Sequence, residues 1–144
     1  MPLSPLNGHG ALGELESNVP LIDFARLIAK RIPAVAAGVK VAGEPSKQIR
    51  KVAVLAGAGD SYLSEVLTSG ADVYVTSDLR HHPAQDFMEQ SNLISGPALI
   101  DIAHWAAEWV WLETAATQLR RIAPSCQILV SEINTDPWNF AVMQ

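Results

Sequence analysis

The sequence predicts an α/β fold with a mostly parallel sheet covered by helices on both faces. Short apolar runs at residues 49–55, 71–76 and 98–102 each give way to a polar loop and then to a helical segment. Strands that alternate with helices build parallel sheets. A chain of 144 residues with 49% hydrophobic composition has the length of one domain and enough apolar material for a core.

The elements follow in order. Residues 1–17 read as an arm or linker, because Pro2, Pro5, Gly8, Gly10 and Gly13 interrupt a segment with few large apolar side chains. Residues 18–144 read as a single α/β domain. Asn18 and Pro20 suit the start of a helix, Leu21, Phe24, Leu27 and Ile28 its buried face, and Pro33 its end. A short strand is expected at 39–42, then a turn at 43–46, then the strand at 49–55. That strand runs into Gly57-Ala58-Gly59-Asp60-Ser61 and a helix over 62–68, with Gly70 in position for a left-handed cap. A glycine turn between strand and helix resembles a phosphate loop. However, the third fingerprint glycine and a Gly-Lys-Ser/Thr are both missing, so the favoured reading is a tight turn with Asp60 or Ser61 capping the helix. The strand at 71–76 leads through Ser77-Asp78-Leu79-Arg80-His81-His82-Pro83 to a helix over 84–90 and a loop at 93–96. The strand at 98–102 leads to a helix expected to run to Arg121, since no Gly or Pro intervenes. A last strand is expected at 128–131 and a turn-rich tail at 134–138.

A net charge of -5 with 10 basic residues gives no field for nucleic acid or an anionic membrane. No apolar stretch is long enough to span a bilayer, and residues 1–13 lack a signal-peptide core. The single Cys126 can form no internal disulfide, in keeping with a reducing, cytoplasmic setting. It begins an apolar stretch and is expected to fill core space.

The chemistry centres on residues 98–109. His104 stands where a strand passes into a helix, and Glu108 lies one turn further on the same helical face. An imidazole and a carboxylate so placed can grip one divalent cation, although the same spacing is common as a weak surface charge pair. The position favours ligation, because open α/β sheets bind ligands at the carboxyl ends of their strands. Consecutive strands bring Asp60 and Ser61, then Asp78, His81 and His82, then Asp101, His104 and Glu108 to that edge. Adjacent histidines diverge, so one of His81 and His82, with His82 preferred, is expected to line the cleft. His9 lies in the arm and is expected to be incidental. Trp105 and Trp109 share a helical face and are expected in the core or at a subunit contact, and neither they nor Trp111 carry a cofactor signature.

Three ordered stretches resemble one family: residues 52–61, residues 70–82, and residues 99–108 with His104 and Glu108. It is the NGG-interacting factor three family, also called GTP cyclohydrolase type 2 homologues, and residues 8–15 resemble the segment leading into that family's second half. The resemblance implies a fold of two related α/β halves facing across a cleft, of which this chain supplies the second, with residues 1–17 as the inter-half linker. It implies a pair of divalent metal ions (zinc, manganese, iron or similar) in the full-length protein, with His104 and Glu108 as ligands. Ala103 stands where the family usually has glycine. The remaining ligands belong to the first half, and the ligand role of that half's His-His-Pro does not transfer to His81-His82-Pro83. The resemblance also implies homo-oligomers, often hexamers in the full-length family. The chain is thus expected to be a carboxy-terminal fragment or truncated homologue.

Two functions follow. One is part of a metal-dependent hydrolase or cyclohydrolase-like protein acting on a nucleotide-like or other small substrate, incomplete in this chain, with Asp78, His82 or Asp60 orienting water or substrate. The other is a non-catalytic metal-binding or protein-interaction domain.

Overall fold

The computed structural model describes residues 8–142. Five strands form one sheet in the order β1-β3-β4-β5-β2, where β1 is Ala11–Pro20, β2 Val39–Ala42, β3 Gln48–Ala58, β4 Val73–Ser77 and β5 Ala98–Ile102. The central β3, β4 and β5 are parallel, and the two edge strands run antiparallel to their neighbours. Every residue of β4 and β5 is buried, as expected of central strands covered on both faces. On one face, α1 (Leu21–Arg31) packs Leu21 and Phe24 with Val73, Val75, Ile100 and Ala107. On the other, α2 (Leu63–Thr68) and α3 (His81–Ile94) bring Leu63, Val66 and Phe87 against Ala53, Tyr74 and Leu99. The predicted layering and parallel centre are therefore present.

Several local expectations are corrected. From Ala11 onward the arm is strand β1, preceded by bends at residues 8–10, and residues 1–7 lie outside the described residues. Its backbone pairs with β3 from Ala11↔Val54 to Pro20↔Gln48 around an irregularity between Glu14 and Val19. Only Leu15 and Val19 pack against the core, so the strand lacks the alternation that would reveal it. Gly10 serves close approach here, since a Cβ on it would lie 2.6 Å from the Val54 carbonyl oxygen. Helix α1 accordingly starts at Leu21, after Pro20, and Leu27 is 45% exposed rather than buried.

Helix α3 begins at His81, with Pro83 tolerated in its first turn, and runs to Ile94 before Ser95 takes a left-handed conformation. The long helix after β5 is two: α4 (His104–Trp109) and α5 (Leu112–Ile122). The Trp109-Val110-Trp111 run is poor in helix propensity, and a short Trp111 N–H to Glu108 carbonyl bond (3.1 Å) marks the break. Residues 128–131 are not a strand, because β2 already occupies the sheet edge beside β5 through the register Val39↔Ile102 to Ala42↔Leu99. Leu129 is 79% exposed, and Cys126 is exposed rather than a core filler. Gly70 has φ +74°, as the cap reading required. Among the described residues, no helix is long and apolar enough to cross a membrane.

The turn after β3 depends on glycine for room. A Cβ on Gly59 would overlap the Thr76 hydroxyl and the Tyr74 hydroxyl, both of buried residues. Tyr74 donates from its hydroxyl to the Gly59 carbonyl (3.1 Å), and Thr76 donates to that of Gly57 (3.0 Å). Gly59→Ala should therefore cost about 1–3 kcal/mol of folding free energy through overpacking. Gly13→Ala, whose Cβ would meet nothing within 4 Å, should stay within about 0.5 kcal/mol. Urea denaturation of the two variants checks the contrast.

Candidate metal-binding cleft

Because β3, β4 and β5 are parallel, their carboxyl ends deliver three loops to one edge of the sheet. Ala103 has extended backbone, and α4 begins at His104, so the imidazole stands at the mouth of the edge with Glu108 one turn above it. His104 Nε2 lies 3.0 Å from Glu108 Oε1, and Nδ1 lies 2.7 Å from Asp78 Oδ2. The ring is thus bracketed by two carboxylates. Gly57 makes room for this arrangement, since a Cβ there would lie 3.3 Å from Glu108 Oε1 and 3.5 Å from the His104 ring. Its φ of +85° disfavours any other residue.

Asp78 has φ +54°, a conformation that aspartate tolerates better than most non-glycine residues. Two further aspartates hold its loop. Asp60 accepts from Arg80 through the backbone N–H (3.2 Å) and through Nε (2.5 Å). Asp101, buried on β5, pairs with Lys40 Nζ at 2.5 Å and accepts a long bond from Leu79 N–H at 3.4 Å. Lys40 stands opposite Asp101 in the β2–β5 register. Asp60 therefore ties the Arg80 loop instead of capping α2, which has no side-chain cap.

A cleft of about 610 Å³ opens at this edge, lined by Lys40, Asp78, Asp101, His104, Trp105 and Glu108 and by residues 135–138. His82, expected to line the cleft, is placed outside it. His81 and His82 are exposed in the first turn of α3, with ring centroids 5.2 Å apart in an edge-to-face arrangement, and neither lines the cleft. Ser61 is exposed on the preceding turn. His9 contacts the Tyr62 hydroxyl, away from the cleft. Trp105 and Trp109 are half-buried with ring centroids 6.5 Å apart, and Trp109 Nε1 donates to the Ser131 carbonyl at 3.1 Å. The segment 135–138 was read from sequence only as a tail; its aspartate and tryptophan were visible there, but not its return to the cleft.

The donor set can be tested against a divalent cation. Two donors each about 2.1 Å from one metal stand about 3.4 Å apart at the tetrahedral angle of zinc and about 3 Å apart at a right angle. Nε2 and Oε1 are 3.0 Å apart, an ion-pair distance from which small side-chain shifts reach either geometry. Asp78 on Nδ1 reproduces the carboxylate–histidine arrangement that orients metal-bound imidazoles. Imidazole nitrogen and carboxylate oxygen together suit zinc, iron or manganese. Asp78 lies on the far nitrogen, so the three groups do not converge on one point. Among the described residues, no group of three or more His, Cys, Asp or Glu side chains is placed to hold a metal. The residues present fit two positions of a coordination sphere.

The Asp78 hydrogen bond raises the His104 pKa above the usual histidine value, Glu108 adds to the rise, and partial burial opposes it. Folding thus favours the imidazolium. Its contribution to stability is complete below the unfolded value of about 6.5 and is lost as pH rises through the folded value. The ring-proton titration of His104 by NMR should have its midpoint above about 6.5. Asp78→Asn should lower that midpoint, and more than Glu108→Gln does.

The comparisons with known proteins agree with this architecture. The family model described as Duf34/NIF3 (NGG1p interacting factor 3) matches residues 2–137. A Streptomyces coelicolor protein named GTP cyclohydrolase 1 type 2 homolog is 41% identical over 135 residues, covering 91% of this chain and 46% of its own length. A Mycobacterium tuberculosis protein of the same name is 42% identical over 134 residues, covering 92% of this chain and 34% of its own length. A Bacillus cereus protein related to NIF3 superposes with a TM-score of 0.80 at 31% identity, over 93% of this chain and 36% of that one. A Staphylococcus aureus protein gives 0.75 at 34% identity, over 94% and 43%. The chain spans less than half the length of these relatives. With the family model matching most of its residues, the chain belongs to the Duf34/NIF3 family.

Proposed function

We propose that this chain forms part of a divalent-metal-dependent, hydrolase-like protein acting on a nucleotide-like or other small substrate, with His104 and Glu108 as two of the metal's ligands. The observation that carries the reading is the 3.0 Å approach of His104 Nε2 to Glu108 Oε1, with Asp78 on the other ring nitrogen. A bound divalent ion would supply an activated water and neutralise charge developing on the substrate. Asp78 holds the ring so that Nε2 faces Glu108, while Asp60 and Asp101 keep the Asp78 loop in place. Asp78 and Asp60 thus act as positioning residues, whereas His82 stands outside the cleft lining. Further ligands, and a second metal ion, would come from outside this chain, in keeping with its share of the relatives' length. Homo-oligomers would bring such sites together in the complete protein.

A second reading, a non-catalytic metal-binding or interaction domain, is favoured by the presence of only two converging donors among the described residues.

Calorimetry with manganese or zinc tests the ligand assignment. The chain should bind weakly, because two protein ligands leave most positions to water. Binding should vanish in both His104→Ala and Glu108→Ala and weaken roughly 10–100-fold in Asp78→Asn. Tight binding that survives both alanine variants would place the metal elsewhere and overturn the assignment. His104→Gln should leave metal-free stability within about 0.5 kcal/mol, since the side chain is half exposed.

A further inference from the structure

One wall of the cleft is loosely fastened. Residues 124–142 contain no helix or strand, and a stretch of that length without regular structure usually serves as a lid, a binding loop or a linker. Among the described residues, Trp109 Nε1 donates to the Ser131 carbonyl, and Arg120 Nη2 donates to the Ile128 carbonyl at 3.4 Å. Beyond Ser131 the hydrogen bonds are internal to the segment.

The tip of this segment nevertheless has a fixed shape. Asn134 Oδ1 accepts from Asp136 N–H at 2.8 Å, Asp136 Oδ1 accepts from Trp138 N–H at 3.0 Å, and Pro137 stiffens the link between the two turns. A rigid tip on a slack tether moves as a unit. In its present position it leaves apolar surface in water. Ile133, Trp138, Phe140 and Val142 are each more than two-thirds exposed, although Trp138 lines the cleft together with Trp105. Moving inward buries part of that surface, which favours closure. Charge opposes it. The tip carries Asp136, and the cleft is lined by Asp78, Asp101 and Glu108. Lys40 is already paired with Asp101, and His104 lies between Asp78 and Glu108.

We propose that residues 132–142 form a strap that pivots about the Trp109–Ser131 hydrogen bond and closes over the strand-end cleft, and that carboxylate repulsion against Asp136 holds it open until the charge of the cleft is neutralised. A divalent cation on His104 and Glu108 supplies that neutralisation, a trigger that rests on their assignment as metal ligands. Closure carries Asp136 and Trp138 inward and sheds water from the cleft. The strap itself needs no metal, since screening the carboxylates or removing the charge of Asp136 is enough.

Nitroxide labels on Ala37→Cys and Phe140→Cys, in a Cys126→Ser background, report the strap's position through their distance distribution. Ala37 is exposed in the cleft lining, Phe140 is exposed on the strap, and Cys126 is the chain's single cysteine. Without metal and at low salt the distribution should be long and broad. Asp136→Asn should raise the short-distance population roughly two- to fivefold, the factor one exposed charge contact supplies. Salt at about 1 M, which cuts the screening length to about 3 Å, should do the same with Asp136 in place. Trp138→Ala should reduce closure under every condition. Labels on Ala37→Cys and Gln90→Cys, both outside the strap, should keep their distance throughout. Zinc should close the strap when His104 is present and fail to do so in His104→Ala. A distribution that neither salt nor Asp136→Asn moves overturns the strap, whether or not calorimetry on the same samples shows zinc bound. Closure by salt and by Asp136→Asn, with no zinc bound, supports the strap and refutes the metal assignment alone.

Discussion

The site depends on the hydrogen bond between Asp78 and His104. It chooses the ring nitrogen that faces Glu108, and it draws its geometry from a loop that could not hold itself. Asp78 occupies a left-handed backbone conformation, and the turn around it is clamped by Asp60 through Arg80 and by Asp101 through Leu79. Each clamp comes from a different strand end. The parallel order of β3, β4 and β5 is what brings one carboxylate from the first loop and one from the end of β5 to brace the second loop.

This division of labour explains why the cleft holds so many acids and so few converging ligands. Asp60 and Asp101 are spent on backbone and cation partners within the protein, and Asp78 is spent on the far side of the imidazole. Among the described residues, Nε2 of His104 and Oε1 of Glu108, 3.0 Å apart, are the pair left facing each other in the cleft. The glycine at position 57 belongs to the same design, since its missing side chain leaves the space these two atoms occupy.

The central sheet was legible because β4 and β5 are buried apolar runs bounded by polar loops, a pattern that needs no tertiary knowledge. His104 and Glu108 were legible for the same reason, as strand end and first helical turn are local facts. Strand β1 was hidden because it sits at the sheet edge and is largely exposed. The expected strand at 128–131 failed because apolar residues such as Leu129 find no open sheet edge beside β5, where β2 already lies. The partners of Asp60 and Asp101 depend on how loops from separate strands meet and on the β2–β5 register. No spacing along the chain encodes either. The helix break at Val110 contains neither glycine nor proline, so it leaves no breaker signal in the sequence.

The carboxylates along the cleft also bear on the order in which things arrive there. Asp78, Asp101, Glu108 and Asp136 line it against Lys40 and His104, and Lys40 is already paired with Asp101. The resulting negative potential draws small cations inward and slows anions that approach unaccompanied. A neutral molecule meets no such barrier, whereas an anion does until a cation has entered first. The acid lining would thus act as a sequence rule on traffic into the cleft, one that added salt relaxes by shortening the reach of its field.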